Sequence, residues 1–115
     1  MSLKDCFSAL GGDYEEVLAR LYSEDLIRKF LLKFLNDGTY HFLIEMLSVG
    51  NYQEAFHAAH TLKGLCENLG LTNLYQSSSK LTEALRANDR SKNIDVLKAQ
   101  VSVDYRQAVD AIRAL

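Results

Sequence analysis

The chain contains no proline in 115 residues. Proline is the residue that most reliably breaks a helix, because its ring removes a backbone N–H and clashes with the preceding turn, so long helices are permitted throughout. The six glycines then become the main candidates for helix ends. No convincing strand alternation occurs beside the helical periodicity. The sequence therefore predicts an all-α fold.

Polar capping residues and glycines divide the first half of the chain. A short helix is expected over residues 14–22 with Asp13 as its N-cap, and Ser23 is expected to cap a second helix. Residues 36–38, Asn-Asp-Gly, are expected to bend or break that second helix. An apolar face then resumes and ends at Gly50.

The second half of the chain has three further helices. Asn51 and Glu54 resemble a capping box that opens a helix ending at Gly70. The next helix is expected to stop near residues 88–89, and the last to begin near residues 91–93. Four main helices joined by short loops favour an up-down four-helix bundle, with the additional short N-terminal helix packed against an end or side.

Length and charge limit the classes of function. The chain has the length of one domain, and we expect residues 1–12 to be an N-terminal extension and residues 13–115 to form the bundle. A net charge of −2 gives no basic surface for nucleic acid. Because no signal-peptide pattern and no apolar run of about 18 residues occurs, we expect a cytoplasmic chain without membrane contact. A bundle that seals its own core is expected to be a monomer.

The helix over residues 51–69 has one apolar arc of roughly 140° when its residues are placed at about 100° intervals. His60 lies about 120° from the centre of this arc, on its flank. Lys63 lies nearer the edge of the core, and Gly64 lies almost opposite the core. Since residues at i, i+3 and i+4 are neighbours, these three form one surface. The arc itself consists of Tyr52, Ala55, Phe56, Ala59, Leu62, Cys66 and Leu69.

Each of these three residue types suits the transfer of an anionic group. An imidazole in water is mostly neutral at pH 7 and presents a nucleophilic nitrogen. The ammonium of Lys63, one turn after His60, can stabilise added negative charge. Gly64 costs about 1 kcal/mol relative to alanine inside a helix. Because it faces away from the core, we interpret it as clearance for a partner protein that brings its own reactive group to His60.

The run around His60 resembles a family signature. Residues 59–70 read AHTLKGLCENLG, and the histidine phosphotransfer (HPt) signature is AHxLKGxxxNxG. Helix order and length are similar from about residue 13 to the end. The resemblance implies that His60 is the phosphoacceptor and that Lys63 and Gly64 are the lysine and glycine of the signature.

The resemblance also implies the partners. Family members exchange a phosphoryl group with the aspartate of a response-regulator receiver domain, and some receive it from a sensor histidine kinase. The receiver supplies the Mg²⁺, so no cofactor is expected to be bound by this chain. The sequence has no P-loop and no kinase glycine loop, which fits a phosphoryl carrier rather than an ATP-using enzyme. The chain could also be the phosphoacceptor domain of a chemotaxis-type or hybrid kinase.

Two positions on the next helix could affect the environment of the His60 ring. Many family members place a glutamine or glutamate, which orients the histidine ring, at the position that Thr82 occupies here. A threonine hydroxyl is shorter, so the orienting bond is left open between Thr82, Ser78, Ser79 and water. Arg86, four residues after Thr82 and on the same face, could add a second positive charge near His60.

A second hypothesis also fits these residues. His57 and His60, at i and i+3, could ligate a metal ion in a helical-bundle interaction protein without phosphotransfer, although no third ligand is evident. A zinc titration would separate the two hypotheses, since tight binding lost equally in His57→Ala and His60→Ala would favour the metal.

Overall fold

A computed structural model describes residues 1–87 and 93–115 of the chain. These residues form seven helices and no strand, so the prediction of an all-α fold is confirmed. No helix among them is both long and apolar enough to cross a membrane. The helices are α1 Leu3–Ala9, α2 Tyr14–Leu21, α3 Glu24–Leu35, α4 Thr39–Ser48, α5 Tyr52–Leu69, α6 Thr72–Arg86 and α7 Ile94–Arg113.

The bundle follows the order of the chain. Each of α4, α5 and α6 packs against the helix that follows it, which is the neighbour relation of an up-down bundle. Helix α3 packs against α5 and α7. The predicted interruption at residues 36–38 is a complete break, and the carboxylate of Asp37 accepts a hydrogen bond from the N–H of Thr39 at 2.8 Å where α4 begins.

Helix α5 begins and ends where the sequence predicts. The side-chain oxygen of Asn51 accepts from the N–H of Glu54 at 3.2 Å. The N–H of Asn51 donates to the carbonyl of Met46 at 2.9 Å, so the reciprocal bond of a capping box is replaced by a turn that closes on α4. Gly70 ends the helix with φ +69°, in the left-handed region that glycine adopts without strain.

The first twelve residues do more than extend the chain. The hydroxyl of Ser2 caps α1 by accepting from the N–H of Asp5 at 3.1 Å. Helix α1 packs against α2 and α7, and it places apolar side chains in the main core. No helix was predicted here from the sequence. The buried residues are Leu3, Cys6, Phe7 and Leu10.

Helices α1 and α2 dock on the corner between α5 and α6. The N–H of Asn73 donates to the carbonyl of Leu10 at 3.2 Å, and the guanidinium of Arg20 donates to the carbonyl of Glu67 at 3.2 Å. A side chain at Gly70 would overlap Val17 of α2. The corner therefore fixes the N-terminal helices against the end of the bundle, away from the middle of α5.

The end of α6 and the start of α7 lie on either side of residues 88–92, which the structure does not describe. Helix α6 ends at Arg86, and the stop expected near residues 88–89 lies outside the described residues. Asn93 caps α7 by accepting from the N–H of Val96 at 3.2 Å, while residues 91–92 of the expected start also lie outside them. Val101, Ala108 and Ile112 of α7 are buried in the core.

Candidate functional site

The inner face of α5 is part of the core, which fixes the rotation of the helix. Six of its residues are buried. Tyr52 and Phe56, which the sequence placed within the apolar arc, are only half-buried and lie against the edge of the core. With this rotation, the opposite face of α5 is open to solvent. The buried residues are Ala55, Ala58, Ala59, Leu62, Cys66 and Leu69.

His60 is exposed on the open face of α5, as the helical wheel of residues 51–69 predicts. Its ring lies nearly parallel to that of Phe56, one turn earlier, with an interplanar angle of 14° and a centroid distance of 6.2 Å. This is an offset stacked pair within the usual range for aromatic contacts. Within the described residues, no hydrogen bond joins the His60 ring to another side chain.

Lys63 and Gly64 lie on the same surface of α5 as His60. Lys63 is half-buried, and no ion pair holds its ammonium within the described part of the chain. A methyl group built on Gly64 would meet nothing within 4 Å. The space beside Gly64 is therefore outside the bundle, and no close packing between helices requires a glycine there.

Arg86 reaches the site from the neighbouring helix α6. The central carbon of its guanidinium lies 5.0 Å from the centroid of the Phe56 ring, within cation–π distance. Its Nε atom lies 3.4 Å from the carboxylate of Glu83, one turn earlier, and both side chains are about half exposed. The same phenyl ring therefore has both His60 and Arg86 as neighbours.

Thr82 is fully buried between α6 and its neighbours. Its hydroxyl donates to the carbonyl of Ser78 at 2.6 Å, and the hydroxyl of Ser78 donates to the carbonyl of Leu74 at 2.6 Å. These hydroxyl protons are therefore used within α6. Among the described residues, no hydrogen bond from Thr82, Ser78 or Ser79 reaches His60.

The described residues contain no group of three or more histidine, cysteine, aspartate or glutamate side chains that could hold a metal ion. His57 is exposed on α5, and its ring meets that of Phe56 edge-on at 5.4 Å between centroids. A site built on His57 and His60 therefore gains no third ligand from residues 1–87 and 93–115.

Phe56 is a neighbour of His60 that was not predicted from the sequence. Its apolar character and its place on the wheel assigned it to the core. Its spacing of four residues from His60 is the signal that could have indicated a contact, since side chains at i and i+4 meet on a helix.

Comparison with protein families gives a match to the family model described as "Hpt domain" over residues 23–115. The matched range begins at the cap of α3 and includes His60, Lys63, Gly64, Thr82 and Arg86. Comparison with curated proteins and with solved structures gives no match.

Proposed function

The chain belongs to the Hpt domain family, and on that premise we propose that His60 accepts a phosphoryl group from a receiver-domain aspartate or a histidine kinase and passes it to a receiver. Hpt domains act in general as phosphotransfer carriers in phosphorelays. The observation that supports His60 as the acceptor is its exposure on α5 beside the open space at Gly64.

The transfer forms one bond and breaks one. A lone pair on a ring nitrogen of His60 forms the N–P bond while the bond from phosphorus to the aspartyl oxygen breaks. The electron pair of the broken bond stays on the aspartate, which becomes a free carboxylate. The product is a phosphoimidazolium that returns to a neutral ring when the other nitrogen loses its proton to water. The same steps in reverse transfer the phosphoryl group from His60 to the aspartate of a receiver.

Lys63 and Arg86 supply positive charge for this step. The phosphoryl group brings negative charge to a helix face where Lys63 stands one turn from His60. Arg86 adds a guanidinium from α6, held beside the Phe56 ring at 5.0 Å. Both cations stabilise the phosphorylated state without the need to move a helix.

Gly64 provides the clearance that a protein donor needs. An aspartate reaches His60 only if the backbone of the receiver approaches α5 closely, and the missing side chain leaves that path open. We propose that the receiver also brings the Mg²⁺ and that this chain binds no cofactor of its own. The carrier is proposed to work as a cytoplasmic monomer.

Phosphoryl transfer from a panel of phosphorylated receivers with Mg²⁺, followed by mapping of the modified residue, tests the proposal. We expect an acid-labile phosphohistidine at His60, lost in His60→Gln. The matched control is His57→Gln, which removes the other exposed histidine of α5 and should accept phosphate as the wild type does. If His60→Gln is phosphorylated as well as the wild type, the proposal is wrong.

A further inference from the structure

The ring of His60 needs a fixed orientation if one nitrogen is to meet an incoming phosphorus atom. The lone pair of an imidazole nitrogen lies in the plane of the ring, so rotation of the ring about its side-chain bonds moves the reactive direction. A reaction centre held in the productive geometry reacts faster than one that must search for it. The question is which residue of this chain limits the rotation.

The hydroxyl groups of Thr82 and Ser78 do not have protons free for this task. Thr82 donates to the carbonyl of Ser78, and Ser78 donates to the carbonyl of Leu74. The exposed ring of His60 instead lies parallel to the phenyl ring of Phe56, at 6.2 Å between centroids and an angle of 14°. A stacked neighbour restrains the plane of the imidazole and leaves both nitrogen atoms, at the ring edge, free to react.

The phenyl ring is itself restrained. Phe56 is half-buried against the core, which limits the movement of its side chain. Arg86 lies over the ring at 5.0 Å and is tied to Glu83 at 3.4 Å. Contacts from the core, from α6 and from His60 therefore meet on one aromatic side chain.

We propose that Phe56 is a positioning residue for His60 and that Arg86 holds the Phe56 ring in place. This role of Phe56 rests on the proposed function. It means that aromatic stacking along α5 sets the orientation of the phosphoacceptor ring. It also gives Arg86 a role in the unphosphorylated protein, in addition to its charge beside the phosphoryl group.

Two measurements on the wild-type protein and its variants test the proposal. The first is NMR of the unphosphorylated protein, in which we expect nuclear Overhauser contacts between the ring protons of Phe56 and His60. Phe56→Leu should remove them, and Phe56→Tyr should keep them. Arg86→Gln should weaken them, and Arg86→Lys should restore part of the contact because a lysine ammonium also binds an aromatic face.

The second measurement is the rate of phosphorylation of His60 by the small donor phosphoramidate, which needs no docking surface. We expect Phe56→Leu to slow this rate by roughly 2- to 10-fold, the factor that corresponds to the energy of one aromatic pair. Phe56→Tyr should react like the wild type. The matched control is Phe30→Leu, which removes another half-buried phenyl ring, with Lys33 at 5.9 Å, from α3, and should leave the rate unchanged.

The outcomes separate this proposal from the proposed function. If the folded wild type shows no Phe56–His60 ring contact, or if Phe56→Leu reacts at the wild-type rate, positioning by Phe56 is wrong while His60 remains the acceptor. If neither phosphoramidate nor a phosphorylated receiver modifies wild-type His60, both proposals fail. The ring contact is measured in the intact protein, so a variant that fails to fold does not remove the test.

Discussion

Gly64 combines a cost to the helix with open space outside the bundle. A glycine inside a helix loses more backbone entropy on folding than an alanine does. In other parts of the molecule a glycine has a visible structural reason, since Gly70 adopts φ +69° and faces Val17. At Gly64 the helix is regular and a methyl group would meet nothing within 4 Å. The folded chain alone therefore gives no reason for this glycine.

Gly64→Ala should raise the stability of the protein while it slows phosphoryl transfer from a receiver. We expect the free energy of unfolding to rise by about 0.5 to 1 kcal/mol, because alanine is the better helix former and the added methyl meets open space. Phosphorylation of His60 by a receiver should slow, while phosphorylation by phosphoramidate should not. Urea denaturation and the two transfer rates measure these effects.

The control for that variant is Gly38→Ala, since a methyl group at Gly38 also meets nothing within 4 Å and Gly38 lies at the start of α4. It should leave both transfer rates unchanged. Equal receiver-dependent rates in wild type and Gly64→Ala would show that the clearance is not used.

The buried thiol of Cys66 should make the stability of the protein depend on pH. Burial raises the pKa of its thiol above the ordinary value of 9.0. From roughly pH 8 to pH 10 the unfolded chain therefore loses a proton that the folded chain keeps, so the free energy of unfolding falls as the pH rises, by up to about 1.4 kcal/mol per pH unit. Urea denaturation across this range should show a shallower fall for Cys66→Ala, and equal slopes would contradict the assignment.

At the scale of the helix, the ends were predictable because local chemistry sets them. Asn51 caps α5 with a side-chain oxygen and Gly70 ends it, both as the sequence indicates. Asn93, within the expected start of the last helix, caps α7 in the same way. Contacts between individual side chains could not be predicted from the sequence in the same way. The helical wheel gives the direction of Phe56 on α5, but side-chain rotamers decide that its ring stacks on His60. In the same way, the rotamer of Thr82 decides that its hydroxyl bonds within α6.

Asn51→Ala should destabilise α5 without changing its chemistry. Loss of the bond to the N–H of Glu54 should lower the free energy of unfolding by about 1 kcal/mol. His60 lies more than two turns from the cap, so its rate of phosphorylation in the folded protein should be unchanged. Gln53→Ala, an exposed change in the same turn, should have little effect on stability, and an equal loss in both variants would refute the capping role.

At the scale of the whole molecule, the core extends beyond the family match. The match begins at residue 23, yet Phe7 of α1 is 0% exposed and packs with the bundle. The spacing of Leu3, Cys6, Phe7 and Leu10 is helical and was a usable signal. It was missed because the first residues were set aside as an extension, and because about two turns of amphipathic helix acquire stability only from the surface they cover.

Phe7→Ala measures the contribution of α1. We expect the free energy of unfolding to fall by about 3 to 5 kcal/mol, the usual cost of emptying a phenyl-sized volume in a core. Phe42→Ala, at a side chain that is 42% exposed, should cost clearly less. Calorimetry or urea denaturation checks both, and a Phe7→Ala protein as stable as Phe42→Ala would mean that α1 does not pack on the bundle in solution.

His60 lies near the middle of α5, the helix whose other face forms part of the core. We expect the backbone amide hydrogens around it to exchange with solvent only when the bundle unfolds as a whole. An acceptor on such a rigid helix needs no rearrangement of its backbone before it reacts. The timing of a signal that passes through it would then depend on how often partners are encountered and how long they stay bound.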